Sequence, residues 1–145
     1  MSLSRILAKK PERIITIADS ATIRTALATL AEHRIGALIV VSESGGLCGI
    51  LFERDIVRRA AQDEDLFDLS VGDVMTHDVV VGVPQDDIMV VIHVMTERSF
   101  RHLPVVDENG RVIGMISIGD VMKAQRDEYR GEIDTLELQI MTRKD

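Results

Sequence analysis

Sliding this sequence against itself by 65 positions superposes residues 14–58 on 79–123 without a gap. Identities fall at Ile23/Ile88, Glu32/Glu97, Leu38/Leu103, Val40/Val105, Val41/Val106, Glu43/Glu108, Gly45/Gly110, Gly49/Gly114 and Asp55/Asp120. The apolar pattern between them is shared and the glycines keep their places. A repeat too short to cover its own hydrophobic faces has to pack against its copy. One body of two pseudosymmetric halves is therefore expected. Hydrophobic residues make up 46% of the chain and aromatics only 3%, so Val, Ile, Leu, Ala and Met must fill the core.

Each half has the same grammar. A short apolar strand (Ile14–Ile17; Val79–Val81) leads into an amphipathic helix, with Ile23, Ala26, Leu27, Leu30 and Ala31 at helical spacing in the first copy. Ile88, Val91, Ile92 and Met95 repeat that stripe in the second. Two β-branched runs then flank a turn: Leu38–Val41 and Leu47–Leu51 around Ser44-Gly45-Gly46, and Leu103–Val106 and Val112–Ile116 around Asn109-Gly110. Asn-Gly between apolar runs signals a tight hairpin whose two central residues both need φ > 0. A second helix starts near Glu53 and near Ile118. The chain divides into a first repeat (1–62), a polar linker (63–70), a second repeat (71–123) and a C-terminal helical extension (124–145).

The copies differ on one helix face. Arg24, Thr25 and Thr29 of the first correspond to Met89, Val90 and Val94 of the second, which is thus apolar nearly all round. Such a helix is buried on a second face, either deeper in this chain or against another subunit; the polar partner helix favours the subunit. The last helix runs on to about Met141, with Ile133, Leu136 and Ile140 as a stripe among charges, suited to packing on a second subunit.

Several function classes drop out. No uncharged apolar run reaches 18 residues, which argues against a membrane span, and no secretory signal opens the chain. The single Cys48 cannot form an internal disulfide, so a cytoplasmic location is expected, with Cys48 as a small core hydrophobe. The net charge is −7, neither half carries a basic stripe, and three Phe and one Tyr make no base-stacking platform, so nucleic acid is not an expected partner. His93 and Glu97 stand four apart but lack a third ligand, so no metal site is expected. Ser117, His102 and Asp107 include the atoms of a triad without a nucleophile elbow around the serine. No GxGxxG or Walker loop is present, and no enzyme is indicated.

One segment is more specific: Phe100-Arg-His-Leu-Pro-Val-Val-Asp-Glu-Asn-Gly-Arg-Val-Ile-Gly-Met-Ile-Ser-Ile-Gly-Asp120. With its fainter copy Ile35–Asp55, and with Val71-Gly-Asp-Val-Met-Thr76, it resembles the cystathionine-β-synthase (CBS) domain family over residues 3 to 123. The resemblance implies a mixed α/β (α+β) fold of two β-α-β-β-α repeats packed sheet to sheet, a stand-alone Bateman module. It also implies a non-catalytic energy or redox sensor. Its regulatory ligand would be an adenine nucleotide (AMP, ADP or ATP), S-adenosylmethionine or NAD(H), bound in clefts between the repeats. A homodimer and an unidentified downstream protein partner are expected with it; the alternative is a ligand-free interaction module working through dimerisation.

Carried over from the family, the first cleft would combine Ser117, Gly119 and Asp120 with Ala18, Ile23, Ile35, Gly36 and Ala37. The second would combine Phe52, Arg54 and Asp55 with Val83, Ile88, Phe100, Arg101 and His102. Ser117 can donate to a phosphate or ribose oxygen beside a helix N-terminus, and Asp120 can accept from ribose; both residues would also cap that helix well. The first cleft lacks a local cation, since Gly36-Ala37 stand where Arg101-His102 stand in the copy. A cation from another subunit is expected there, with Arg34 and Lys123 as weaker candidates. The second lacks a hydroxyl, because Phe52 replaces it. The two clefts are therefore expected to differ in affinity or ligand.

Overall fold

A computed structural model describes residues 1–10 and 14–143 and shows both copies of the repeat. The chain runs through α1 (Leu3–Lys9), β1 (Thr16–Ala18), α2 (Ile23–His33), β2 (Ala37–Val41), β3 (Leu47–Phe52) and α3 (Glu53–Ala60). A single 3-10 turn at Leu66–Asp68 leads to α4 (Val71–Val74), α5 (Ile88–Arg98), β4 (His102–Val106), β5 (Val112–Ser117) and α6 (Ile118–Arg143). The correspondence extends to backbone detail. Arg34 and Ser99, which follow α2 and α5, both take the left-handed conformation, at φ 54° and 56°. The hairpins β2–β3 and β4–β5 break register at Val40/Val41 and Val105/Val106.

Two local expectations are corrected. Of the turn pair Asn109-Gly110 only the glycine has positive φ (77°). The Asp107 carboxylate accepts from the Asn109 and Arg111 N–H groups and builds a longer turn beside the bulge. The strand expected at Val79–Val81 is absent; a single parallel bridge, Gly82 to Val105, takes its place. In the first repeat β1 pairs with β2 over three residues. In the second, the next ladder bond would have to come from the N–H of residue 104, and Pro104 has none.

Both faces of β2, β3 and β4 are largely covered, whereas Ile113 on the cleft side of β5 stays 40% exposed. Leu38, Val40 and Leu51 pack with Ile23, Ala26 and Leu30 of α2, while Ile39 and Ile50, on the opposite face, are 0% and 2% exposed. Leu103, Val105 and Ile116 pack with Ile88, Val91 and Met95 of α5, and Pro104 and Val106 are buried behind them. Period-2 side chains buried on both faces require a layer on each side: helices outside, the other repeat inside. The linker takes part too, since Leu66 is buried in the first core.

The cores do not follow chain order. Val71, Val74 and Met75 sit in the first core, whereas Leu3 and Ile6 sit in the second, with Leu7 packed against it. The docking is pseudosymmetric: the Leu3 N–H donates to Asp86 O at 2.9 Å, as that of Val71 does to Ala21 O at 2.8 Å. A Cβ placed on Gly114 would meet Leu7, and one on Gly49 would meet Met75. Thus α1, first in the sequence, packs as part of the second repeat.

The apolar positions on α5 that lack a counterpart on α2 are not buried deeper in this chain, because Met89 and Val90 are 54% and 58% exposed. Ile133, Leu136 and Ile140 on α6 are also exposed, and α6 extends well past the repeat.

Candidate functional site

The larger of two clefts between the repeats encloses about 860 Å³, within the range of small-molecule sites. Ile35, Gly36 and Ala37 at the start of β2 form one wall, and Ser117 and Asp120 at the β5–α6 junction face them. These two residues form a reciprocal cap. Ser117 N–H donates to Asp120 Oδ2 at 2.8 Å, and Asp120 N–H donates to Ser117 Oγ at 3.1 Å. Capping is therefore real, and it leaves Asp120 Oδ1 as a further acceptor on a residue that lines both this cleft and a neighbouring groove.

The expectation that this cleft lacks a cation of its own chain is overturned. Lys10, just after α1, donates to Asp120 Oδ2 at 2.7 Å and to Met115 O at 2.6 Å, and lines the cleft. Arg34 lines it as well, whereas Lys123 lies in a separate groove between α1 and α6. Lys10 escaped the sequence reading because the helix before it, α1, was not among the expected elements, and its contact with Asp120 spans 110 positions.

Burial works to raise the pKa of Asp120, but the hydrogen bonds from Lys10 and Ser117 outweigh it and hold the carboxyl below its ordinary 3.8. His102, which lines both clefts, is shifted below its ordinary 6.5, first by burial and then by the charge of Lys10. Below pH 6.5 the unfolded chain then binds more protons at His102 than the folded one, so stability falls with acidification there. The share from Asp120 is present above pH 3.8 and is lost as pH drops through its depressed folded value. Melting temperatures between about pH 8 and pH 5 are expected to fall toward acid, with a flatter slope in His102→Gln. Equal slopes in the two proteins would contradict a half-buried imidazole whose protonation the fold disfavours.

The second cleft, of about 300 Å³, is lined by Phe52, Arg54, Phe100 and His102 from the expected set, together with Thr76, Asp78 and Arg98. The rings of Phe52 and His102 lie 6.3 Å apart at 47°, and the Arg54 guanidinium sits 5.6 Å over Phe52. Asp55 does not line this cleft. It is engaged by the Phe52 N–H at 3.0 Å and by Thr76 Oγ1, which donates to its carboxylate at 3.0–3.1 Å. A threonine from beyond the linker thus supplies the hydroxyl that Phe52 lacks, and uses it within the chain.

The remaining candidates lie elsewhere. Ile23 and Ile88 are 0% and 2% exposed and belong to the cores. Ala18 ends β1 in an exposed position, and Gly119 is exposed on the first turn of α6. Neither lines the first cleft. Arg101 is exposed and holds the β5–α6 junction through its carbonyl, which accepts from the Ile118 N–H at 2.8 Å. Val83 donates its N–H to Asp86 and lies outside the second cleft. No helix among the described residues is long and apolar enough to cross a membrane.

A CBS domain model matches residues 7–62 and again 71–127. The mitochondrial CBS domain-containing protein CBSX3 of Arabidopsis thaliana is 36% identical over 120 residues; the match covers 79% of this chain but only 58% of that protein's length. Among solved structures, a CBS-domain containing protein of Agrobacterium tumefaciens superposes with a TM-score of 0.80 at 38% identity, covering 86% of this chain and 92% of its own. A CBS domain protein of Pyrobaculum aerophilum complexed with AMP superposes at 0.74 and 28% identity, covering 83% and 89%. The CBS domain pair of protein MJ0100, in complex with 5′-methylthioadenosine and S-adenosyl-L-methionine, superposes at 0.77 and 27% identity, covering 88% and 98%.

Proposed function

This chain belongs to the CBS domain family, with two copies in tandem, and on that premise we propose that it is a non-catalytic regulatory module that binds an adenine nucleotide or another adenosyl ligand in the cleft beside Ser117 and Asp120. The observation that carries the reading is the arrangement of that cleft. An apolar wall from Ile35 to Ala37 faces a carboxylate with a spare oxygen and, beside it, the Lys10 ammonium. A nucleoside needs these three features: an apolar slot for the base, an acceptor for ribose, and a cation where phosphate is present. The ligands bound by the Pyrobaculum and MJ0100 proteins support the same chemistry. NAD(H) stays within the adenosyl class as a candidate, and a cytoplasmic location remains part of the reading.

Binding would act by population shift, and its effect is limited by the ligand's difference in affinity between two arrangements of the repeats. A homodimer is the assembly that fits the exposed Met89 and Val90 on α5 and the exposed stripe on α6. Multi-angle light scattering should then return twice the 16.1 kDa of one chain.

The test of the ligand is a thermal-shift panel with AMP, ADP, ATP, NADH and S-adenosylmethionine, and GMP as control. At 100 times its dissociation constant a ligand adds about 2.7 kcal/mol, which raises the midpoint of a chain this size by roughly 5–10 °C. A shift with an adenosine ligand and none with GMP supports the reading. No shift with any of the five leaves the interaction module as the better account.

A further inference from the structure

Lys10 is held at the edge of the first cleft by two of its three N–H donors, one on Met115 O and one on Asp120 Oδ2. The third has no partner among the described residues. Among the described residues, the charged groups lining the cleft are Lys10, Arg34 and Asp120, a net positive set within a protein of net charge −7. The other cleft differs at the matching place. Leu3, Ile6 and Leu7 correspond to Val71, Val74 and Met75 in the pseudosymmetric docking, and the same step carries Lys10 onto Asp78, which lines the second cleft. One cleft thus has an ammonium where its copy has a carboxylate. The Lys10–Asp120 bridge also pairs the one acid that lines the first cleft among the described residues; the Glu53 carboxylate lies beside Gly36, outside that lining.

We infer that Lys10 is the phosphate-selecting residue of the first cleft, which takes phosphorylated adenosine in preference to adenosine itself or to a sulfonium-bearing adenosyl compound. This rests on the adenosyl reading of the cleft and adds the class of ligand. The selectivity comes from a helix that sequence order assigns to the other repeat, so the docking of α1 and the choice of ligand are one property. The competing account makes Lys10 a strut that ties α1 to the β5–α6 junction and has no part in recognition.

Calorimetric titration of the full chain with AMP, adenosine and S-adenosylmethionine separates the two. Wild-type protein is expected to bind AMP more tightly than either of the others. A hydrogen bond to a charged group is worth enough that Lys10→Met should weaken AMP binding about 10- to 100-fold, while adenosine stays within about threefold and S-adenosylmethionine is not weakened. Lys10→Arg keeps the charge and should keep most of the preference, and melting curves of the ligand-free variants show that both are folded. Equal weakening of AMP and adenosine in Lys10→Met makes Lys10 a strut and overturns the inference. An unchanged ratio overturns it as well, with the adenosyl reading intact. If wild-type protein binds none of these three and none of ADP, ATP and NADH, that reading falls and takes this inference with it.

Discussion

Leu3→Ala is expected to destabilise the protein by about 3 kcal/mol and to lower its melting temperature by roughly 6–12 °C. Leu3 is 0% exposed and packs in the core that contains Ile88, Val91, Leu103 and Ile116. Three backbone bonds fix the segment there: Leu3 N–H to Asp86 O, Ser4 N–H to Pro84 O, and Ile88 N–H to Met1 O, at 2.9, 2.9 and 3.0 Å. The surrounding strands cannot collapse into the cavity without breaking the β4–β5 ladder. On the proposed reading of the cleft, the same substitution should also loosen Lys10 at the other end of α1 and so weaken the proposed AMP binding. A melting temperature within about 2 °C of wild type would show that α1 is not part of the second core.

The second large effect is a contrast between two glycines that the repeat makes equivalent. Gly49→Val should cost about 3 kcal/mol, the upper part of the range for overpacking, and Gly114→Val about 1 kcal/mol. A Cβ on Gly49 would come within 2.6 Å of Thr76 O, a backbone atom held by a pair of bonds, Ile50 N–H to Thr76 O and Thr76 N–H to Ile50 O, at 3.0 and 2.8 Å. To make room, the chain after α4 must leave β3, and Thr76 must release Asp55. On Gly114 the nearest atom is the end of the Leu7 side chain, at 2.5 Å, with no backbone atom within 4 Å. Leu7 can change rotamer at a modest cost. Urea denaturation of the two variants measures the difference; equal losses would mean that the crossing at Thr76 gives way as easily as a side chain.

The elements were legible because their signals are local. The stripe Ile23, Ala26, Leu30 has the period of a helix, and α2 occupies that place, although Ala31 at the end of the expected stripe is exposed. The β-branched runs became β2 to β5, and the expected helix starts at Glu53 and Ile118 are the observed ones. The exceptions have local causes as well: Pro104 could not donate to an added strand, and Asp107 reshaped the turn around Gly110. In the cleft, the residues at strand and helix junctions, Gly36, Ala37, Ser117 and Asp120, come together. Ile23 and Ile88 were placed by family position, but helix phase turns both into the cores.

From the sequence alone follow the duplication, the helix–hairpin–helix order within each repeat and the asymmetry between Ser117 and Phe52, since each depends on neighbours within a few residues or on a register that can be counted; α1 and α4 did not follow from it. Only the tertiary structure decided which repeat α1 completes, and with it that Lys10 places a cation of this chain beside Asp120. The apolar face of a short helix fits either core. The choice between two pseudosymmetric docking sites lies in contacts between residues as far apart as Leu3 and Ile116, and such contacts leave no period in the chain.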